Sequence, residues 1–283
     1  IYKMALSNLG RNRKRTVLVI VSLSLSVILM NSVVTMTESF DLDKYLSTFV
    51  DTDFLAAHAQ YFNNDYRSNE ERVSESMIQA IEEEPGFEKG GRIFFYQDVS
   101  VKMPEPNPIH LNENGAAVNA EGEHINVDEN LYPRANLYGL EELPLARMDI
   151  VAGETDPDIL KEKLDTGDYI IEGVDIDDYG KVYEDRIHYA IGDKVTIHNS
   201  NGQEKEAEVI AQIKIKYYTN SVRYSGVDYV FYTSRDGYEK LGGDMDSVMS
   251  YLFQCEDEKE GQMEQFLASY TENQEPMMSF ESK

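Results

Sequence analysis

Residues Thr16 to Met36 read TVLVIVSLSLSVILMNSVVTM, twenty-one residues without a charge, a proline or a glycine. At about 1.5 Å of rise per residue, such a run forms a helix on the order of 30 Å long, which matches the hydrocarbon core of a bilayer. The stretch predicts a transmembrane helix over residues 16–37. Arg11, Arg13, Lys14 and Arg15 precede it, and Glu38, Asp41 and Asp43 follow it. Basic flanks stay on the cytoplasmic side, so this asymmetry predicts a cytoplasmic segment over 1–15 and an extracytoplasmic segment over 38–283.

Two other readings compete with the anchor. A cleaved signal peptide has basic residues, an apolar core and then small residues, but its core is usually about 7–15 residues long and ends at an A-x-A-like site. The run here is longer and no such site follows it. A buried helix of a soluble protein would carry a polar face, whereas only serines, threonines and Asn31 interrupt this surface. Ser22 and Ser26, four residues apart, form a small-xxx-small face suited to close helix packing, although serine is common in membrane helices in any case. Ahead of the basic cluster, Tyr2, Ala5, Leu6 and Leu9 share one helical face and predict a short interfacial helix, with a frayed terminus as the alternative. The chain opens on Ile, which leads us to expect residues upstream.

Beyond the helix the chain is strongly acidic. All 52 Asp and Glu residues lie at or after Glu38, against 21 of the 26 basic residues, so the outer segment carries a net charge of −31. Nucleic acid is disfavoured as a partner, because phosphate binding rests on clustered Lys and Arg. The charge reads as a solubility device, with a cationic substrate as the competing explanation. Cys255 is the single cysteine, so no internal disulfide can form. Its setting, YLFQC, predicts a buried strand and an inert thiol. Nineteen Tyr and eleven Phe supply a folded core without Trp.

Taken in order, Glu38–Val50 could prolong the helix as a stalk through Phe40, Leu42, Tyr45, Leu46 and Phe49. Asp53 to Gln60 reads as a strand, NNDYRSNE as a loop, and Glu70–Glu84 as a helix with Val73, Met77, Ile78 and Ile81 inward, stopped by Pro85-Gly86. GRIFFYQDVSVKM is the next strand and completes a β-α-β passage by Met103. Residues 104–133, with Pro104, Pro106 and Pro108, predict an inserted loop or small subdomain. A strand at Ala135–Leu140, a turn at Ile150–Gly153, and a helix opened by Asp156-Pro157 follow. DYIIEG is then a strand, and residues 192–218 a hairpin turned at Asn201-Gly202. VDYVFYT, SRDGYEKLGG, SVMSYLFQC and DEKEGQMEQFLASYTE alternate strand and helix. The fold class is therefore α+β, with one N-terminal transmembrane helix and a mixed domain of β-α-β lobes carrying an insertion.

Catalytic chemistry was sought in motifs and none was found. Gly180-Lys181 lacks the upstream glycine of a phosphate loop, so ATP hydrolysis is not assigned to this chain. The five histidines, at 58, 110, 124, 188 and 198, have no metal-ligand spacing and read as structural or solvated. Asp175, Asp177 and Asp178 approach a calcium loop, but Tyr179 and Arg186 occupy positions that need oxygen ligands, leaving a solvated acidic turn. No G-x-S-x-G elbow or Ser-His-Asp set is legible. The expected entries for catalytic, cofactor and metal sites are accordingly none.

At Asn8–Thr16, N-L-G-R-N-R-K-R-T running into the apolar stretch, the chain resembles the start of FtsX-like, MacB-type permease subunits of ABC transporters. YGLEE (Tyr138–Glu142), IVAGETD (Ile150–Asp156), GDYIIEG (Gly167–Gly173) and IGDKVTIHNSNGQEKEAEVIAQI (Ile191–Ile213) are similar to the order of elements in that family's extracytoplasmic core domain. The resemblance implies three further membrane helices after residue 283, a cytoplasmic ATPase partner and a second permease copy or paralogue in the bilayer. It also implies nucleotide-driven movement passed to the outer domain for export or release of a substrate such as a peptide, antibiotic or lipoprotein. A single-pass binding or sensor domain is the alternative. An anchored hydrolase is a third reading, without a nucleophile or metal set to support it.

Overall fold

The computed structural model describes residues 13–39, 51–63, 71–177, 180–199, 201–216 and 229–283, with backbone alone at 36–39, 97 and 98. Arg11, the 2–9 segment, the stalk over 40–50, the loop over 64–70, and Asp178 with Tyr179 lie outside the described residues. The chain divides into two units, Ile1–Tyr45 and Leu46–Lys283.

In the first unit, α1 (Arg13–Ser39) is a single helix of 27 residues, two residues longer at its end than the apolar pattern required. Its stretch Arg13–Thr35 has a mean hydropathy of 2.5, and none of that stretch is buried within the molecule. Leu, Val and Ile from Val17 to Val34 all face outward. An all-round apolar helix satisfies its backbone internally and gains nothing from water, which is the physical condition for a membrane span.

The second unit begins with β1 (Phe54–His58) and a one-turn helix α2 (Ala59–Phe62). The expected strand over 53–60 stops early because the His58 Nδ1 accepts the Gln60 N–H at 3.2 Å and caps the turn. Helix α3 (Glu75–Glu83) starts where the Ser74 hydroxyl accepts the Met77 N–H at 3.1 Å. It buries Met77, Ile78 and Ile81 completely. Strand β2 (Phe87–Val101) is fifteen residues long. Near the other end of the chain come β11 (Val248–Cys255), α7 (Glu260–Asn273) and β12 (Met278–Ser282).

These elements form one antiparallel sheet in the order β12-β1-β11-β2. The first β-α-β passage is thus split: β1 and β2 do not touch, because β11 lies between them. Likewise β1 separates β11 from β12. Two interleaved split β-α-β units are the ferredoxin-like arrangement. Met77, Ile78 and Ile81 of α3 and Met263 and Leu267 of α7 belong to the same core as Leu55, Leu252 and Phe253. Phe54 stacks on Phe253 with ring centroids 5.1 Å apart.

Everything between β2 and β11 is inserted into this sheet, so the insertion runs over 102–247 and is far larger than the 104–133 expected. It contains β3 (His110–Leu111) and β4 (Ala117–Val118), which pair with each other as a small separate sheet. There follow β5 (Arg134–Leu140), α4 (Glu142–Ala146), β6 (Ile150–Gly153), α5 (Pro157–Leu164) and β7 (Tyr169–Val174). The hairpin β8 (Lys194–Asn199) and β9 (Glu204–Lys214), β10 (Tyr229–Ser234) and α6 (Arg235–Lys240) complete it.

The strand pairings close on themselves: β2 pairs β5, β5 pairs β10, β10 pairs β7, β7 pairs β9, β9 pairs β8, and β8 returns to β2. This is a six-stranded mixed barrel, and closure removes the sheet edges that would otherwise invite pairing. β2 serves both halves. Residues 87–94 pair β11 of the split sheet and residues 99–101 pair β8 of the barrel, with a register shift against β5 between Tyr96 and Val99.

The expected turn at Ile150–Gly153 is instead strand β6, which pairs β9 at Ile150↔Ile213 and Gly153↔Ala211. Gly153 has φ +91°, and a Cβ there would meet the Ile210 carbonyl oxygen at 2.2 Å. β12 went unrecognised because MSFES carries little of the β-branched pattern that marks a strand. It exists because β1 offers it an open edge.

Candidate functional sites

In α1, Arg13, Lys14 and Arg15 lie fully exposed in the first turn, ahead of the apolar run. Ser22 and Ser26 stand one turn apart on one face, and the Ser26 hydroxyl donates to the Ser22 carbonyl at 2.9 Å. Its polar atom is satisfied inside the helix. What this face offers a neighbour is therefore smallness rather than a dangling donor.

In the domain, the most concentrated charge chemistry surrounds Arg92 of β2. Its Nη2 donates to Glu75 Oε1 at 2.8 Å, and its Nη1 lies 3.5 Å from Glu141 Oε1. Glu141 Oε2 also accepts the Arg92 backbone N–H at 2.8 Å. The guanidinium sits 6.0 Å from the Tyr251 ring, whose hydroxyl donates to Glu82 at 2.8 Å. Burial lowers the affinity of Arg92 for its proton, but Glu141, Glu75 and Glu82 outweigh it and raise the value. A lone arginine in the aromatic strand GRIFFY was the available signal: a charge there needs partners. Arg92 thereby ties α3 to the end of β5. It lines a cleft between split sheet and barrel, together with Arg72, Arg235, Phe94, Met245 and Val248.

A second cluster unites Ser100, Asp128 and His198, which no spacing in the sequence marks. Ser100 Oγ donates to Asp128 Oδ2 at 2.6 Å, and His198 Nδ1 lies 3.3 Å from the same oxygen. Serine and histidine compete for one carboxylate oxygen, and the 3.4 Å contact between them is to the nitrogen that already faces the acid. This is not a relay in which histidine stands between serine and acid. Its work is architectural: Asp128 Oδ1 accepts the Asn130 and Tyr132 N–H groups at 2.8 and 3.0 Å and fastens the inserted loop to the barrel. Burial pushes the Asp128 carboxyl up, but the Ser100 hydroxyl, those two N–H groups and His198 hold it below the usual carboxylate value.

Glu172 of β7 is 2% exposed and accepts the His188 and Tyr189 N–H groups at 2.8 and 3.3 Å and the Gln212 amide at 2.9 Å. Burial raises its carboxyl against those hydrogen bonds. The remaining singled-out residues are structural. Asp175 pairs with Arg186 at 3.1 Å, so the arginine that breaks the calcium pattern neutralises the turn. Asp177 Oδ1 accepts the Lys181 N–H at 2.9 Å. Cys255 is buried, and burial pushes its thiol up to about 11.

No protein-family profile matches this sequence, and no curated protein is similar to it. Two solved structures resemble the fold. One is the periplasmic region of MacB from Actinobacillus actinomycetemcomitans, at 9% identity and TM-score 0.42, covering 82% of this chain and 90% of that one. The other is the extracellular domain of the noncanonical ABC-type transporter YknZ from Gram-positive bacteria, at 10% identity and TM-score 0.42, covering 81% and 99%. Likeness of this degree carries no functional argument. By its own architecture the chain is an apolar helix of membrane-spanning length joined in sequence to an α+β domain.

Proposed function

We propose that this chain is part of an ABC transporter permease subunit, anchored by α1 with its N-terminus in the cytoplasm and the domain over 38–283 outside. The observation that carries the reading is α1 itself: every apolar side chain from Val17 to Val34 is exposed, behind Arg13, Lys14 and Arg15. The sequence motifs of the following domain give that anchor its family. Under this reading a separate cytoplasmic ATPase hydrolyses nucleotide, a second permease copy or paralogue completes the assembly, and α1 passes motion to the domain. The chain itself catalyses no reaction.

The test is isolation of the epitope-tagged full-length protein from native membranes. A stoichiometric partner carrying a phosphate-loop ATPase motif is the expected result. Isolation without one, from membranes in which the protein retains its function, would sink the proposal and leave a single-pass binding or sensor domain.

A further inference from the structure

The cleft around Arg72 and Arg235 has the construction of a ligand site, and nothing in the transporter reading requires it. It encloses about 650 Å³ at the seam between the split sheet and the barrel. Ligand sites favour such junctions. Its floor is apolar, with Phe94 and Val248 at 2% and 6% exposure and Met245 beside them.

Three guanidinium groups line it, in a domain where acids outnumber bases 52 to 21. They are not equivalent. Arg92 is engaged by Glu75 and Glu141, as described, and acts as a fixed wall. Arg72 makes one long bond, 3.5 Å to the Asp246 carbonyl, and its ion pair with the Asp246 carboxylate is 3.9 Å. Arg235 donates to the neighbouring Asp236 at 3.1 Å and stands 3.9 Å from Glu141. Each guanidinium has five N–H donors. Both side chains are half exposed, so these pairs are screened and contribute little. Most of their hydrogen-bonding capacity is thus unspent at the mouth of an apolar recess.

We infer that this cleft binds the C-terminal carboxylate of an extended peptide, with Arg72 and Arg235 as the anion clamp and the terminal apolar side chain against Phe94, Met245 and Val248. A planar guanidinium matches a carboxylate with two parallel hydrogen bonds. The acidic lining of the cleft, Glu75, Glu141 and Asp246, counters the three arginines and makes the site neutral overall. An anion therefore gains from close, directional contact and not from long-range attraction. A single terminal carboxylate with an apolar neighbour fits that requirement, whereas a polyanion would be repelled by the surrounding domain.

The inference is tested on the full chain in lipid nanodiscs by calorimetric titration with the capped tripeptide N-acetyl-Gly-Leu-Phe, its C-terminal amide, and inorganic phosphate. Saturable binding of the free acid is expected, weakened about tenfold or more in the amide and in the R72Q/R235Q variant. R72Q alone serves if the double variant does not fold. Absence of saturable binding, equal binding of acid and amide, unchanged binding by the variants, or phosphate binding as tightly as the peptide would each overturn it. None of these outcomes depends on whether an ATPase partner exists.

Discussion

At the scale of single residues, the domain is held together where charges meet at its internal seams. Arg92→Met removes bonds to two glutamates from two elements, and should destabilise the domain by about 2 kcal/mol in urea denaturation. Lys at the same position should recover little of that loss, since an ammonium cannot fork between Glu75 and Glu141. Asp128 makes a pH-dependent contribution whose sign follows from its depressed carboxyl. The stability it adds is present above the unfolded value near 4 and is lost as pH falls through the lower folded value. Asp128→Asn should therefore lower stability at neutral pH by about 1–2 kcal/mol and flatten the acid limb of a melting-temperature profile. An unchanged acid limb would show that the Ser100–His198 contact does not favour the ionised carboxylate.

At the scale of elements, periodicity found what was amphipathic and missed what was held by neighbours. The inward set Met77, Ile78 and Ile81 was legible because helical spacing places these residues on one face. Ile81→Ala should cost about 2–5 kcal/mol in the same denaturation experiment, as a fully buried methyl-rich side chain with little room to relax. β6 was misread because Gly153 looks like turn chemistry, yet its positive φ and close approach to Ile210 serve a strand end packed on β9. Gly153→Ala should lose at least about 2 kcal/mol, and a calorimetric melt within error of the parent would contradict the contact. In the hairpin the turn was correctly placed: Gly202 takes φ +75° and donates its N–H to the Asn199 carbonyl at 2.9 Å.

At the scale of the molecule, the Ser22/Ser26 face is the feature most directly open to test. Replacing both with Leu in the full-length protein should impair permease assembly, read as loss of the higher-mass complex on gel filtration in mild detergent. Unaltered assembly and transport would reduce α1 to a tether. Of the domain, the order of strands and helices could be read locally, since hydrophobic alternation, caps such as Asp156 and glycine turns act within a few residues. Which strands become neighbours could not. That β11 slides between β1 and β2, that β8 returns to β2, and that Arg72, Arg92 and Arg235 reach one cleft are pairings over more than a hundred residues of chain for which no local spacing exists. By itself the sequence determined the apolar helix, the acidic domain and the α+β class, because length, charge and periodicity are properties of short segments. Only the tertiary structure decided the barrel, the inserted position of residues 102–247 and the clefts, because closure and side-chain convergence depend on where distant segments meet.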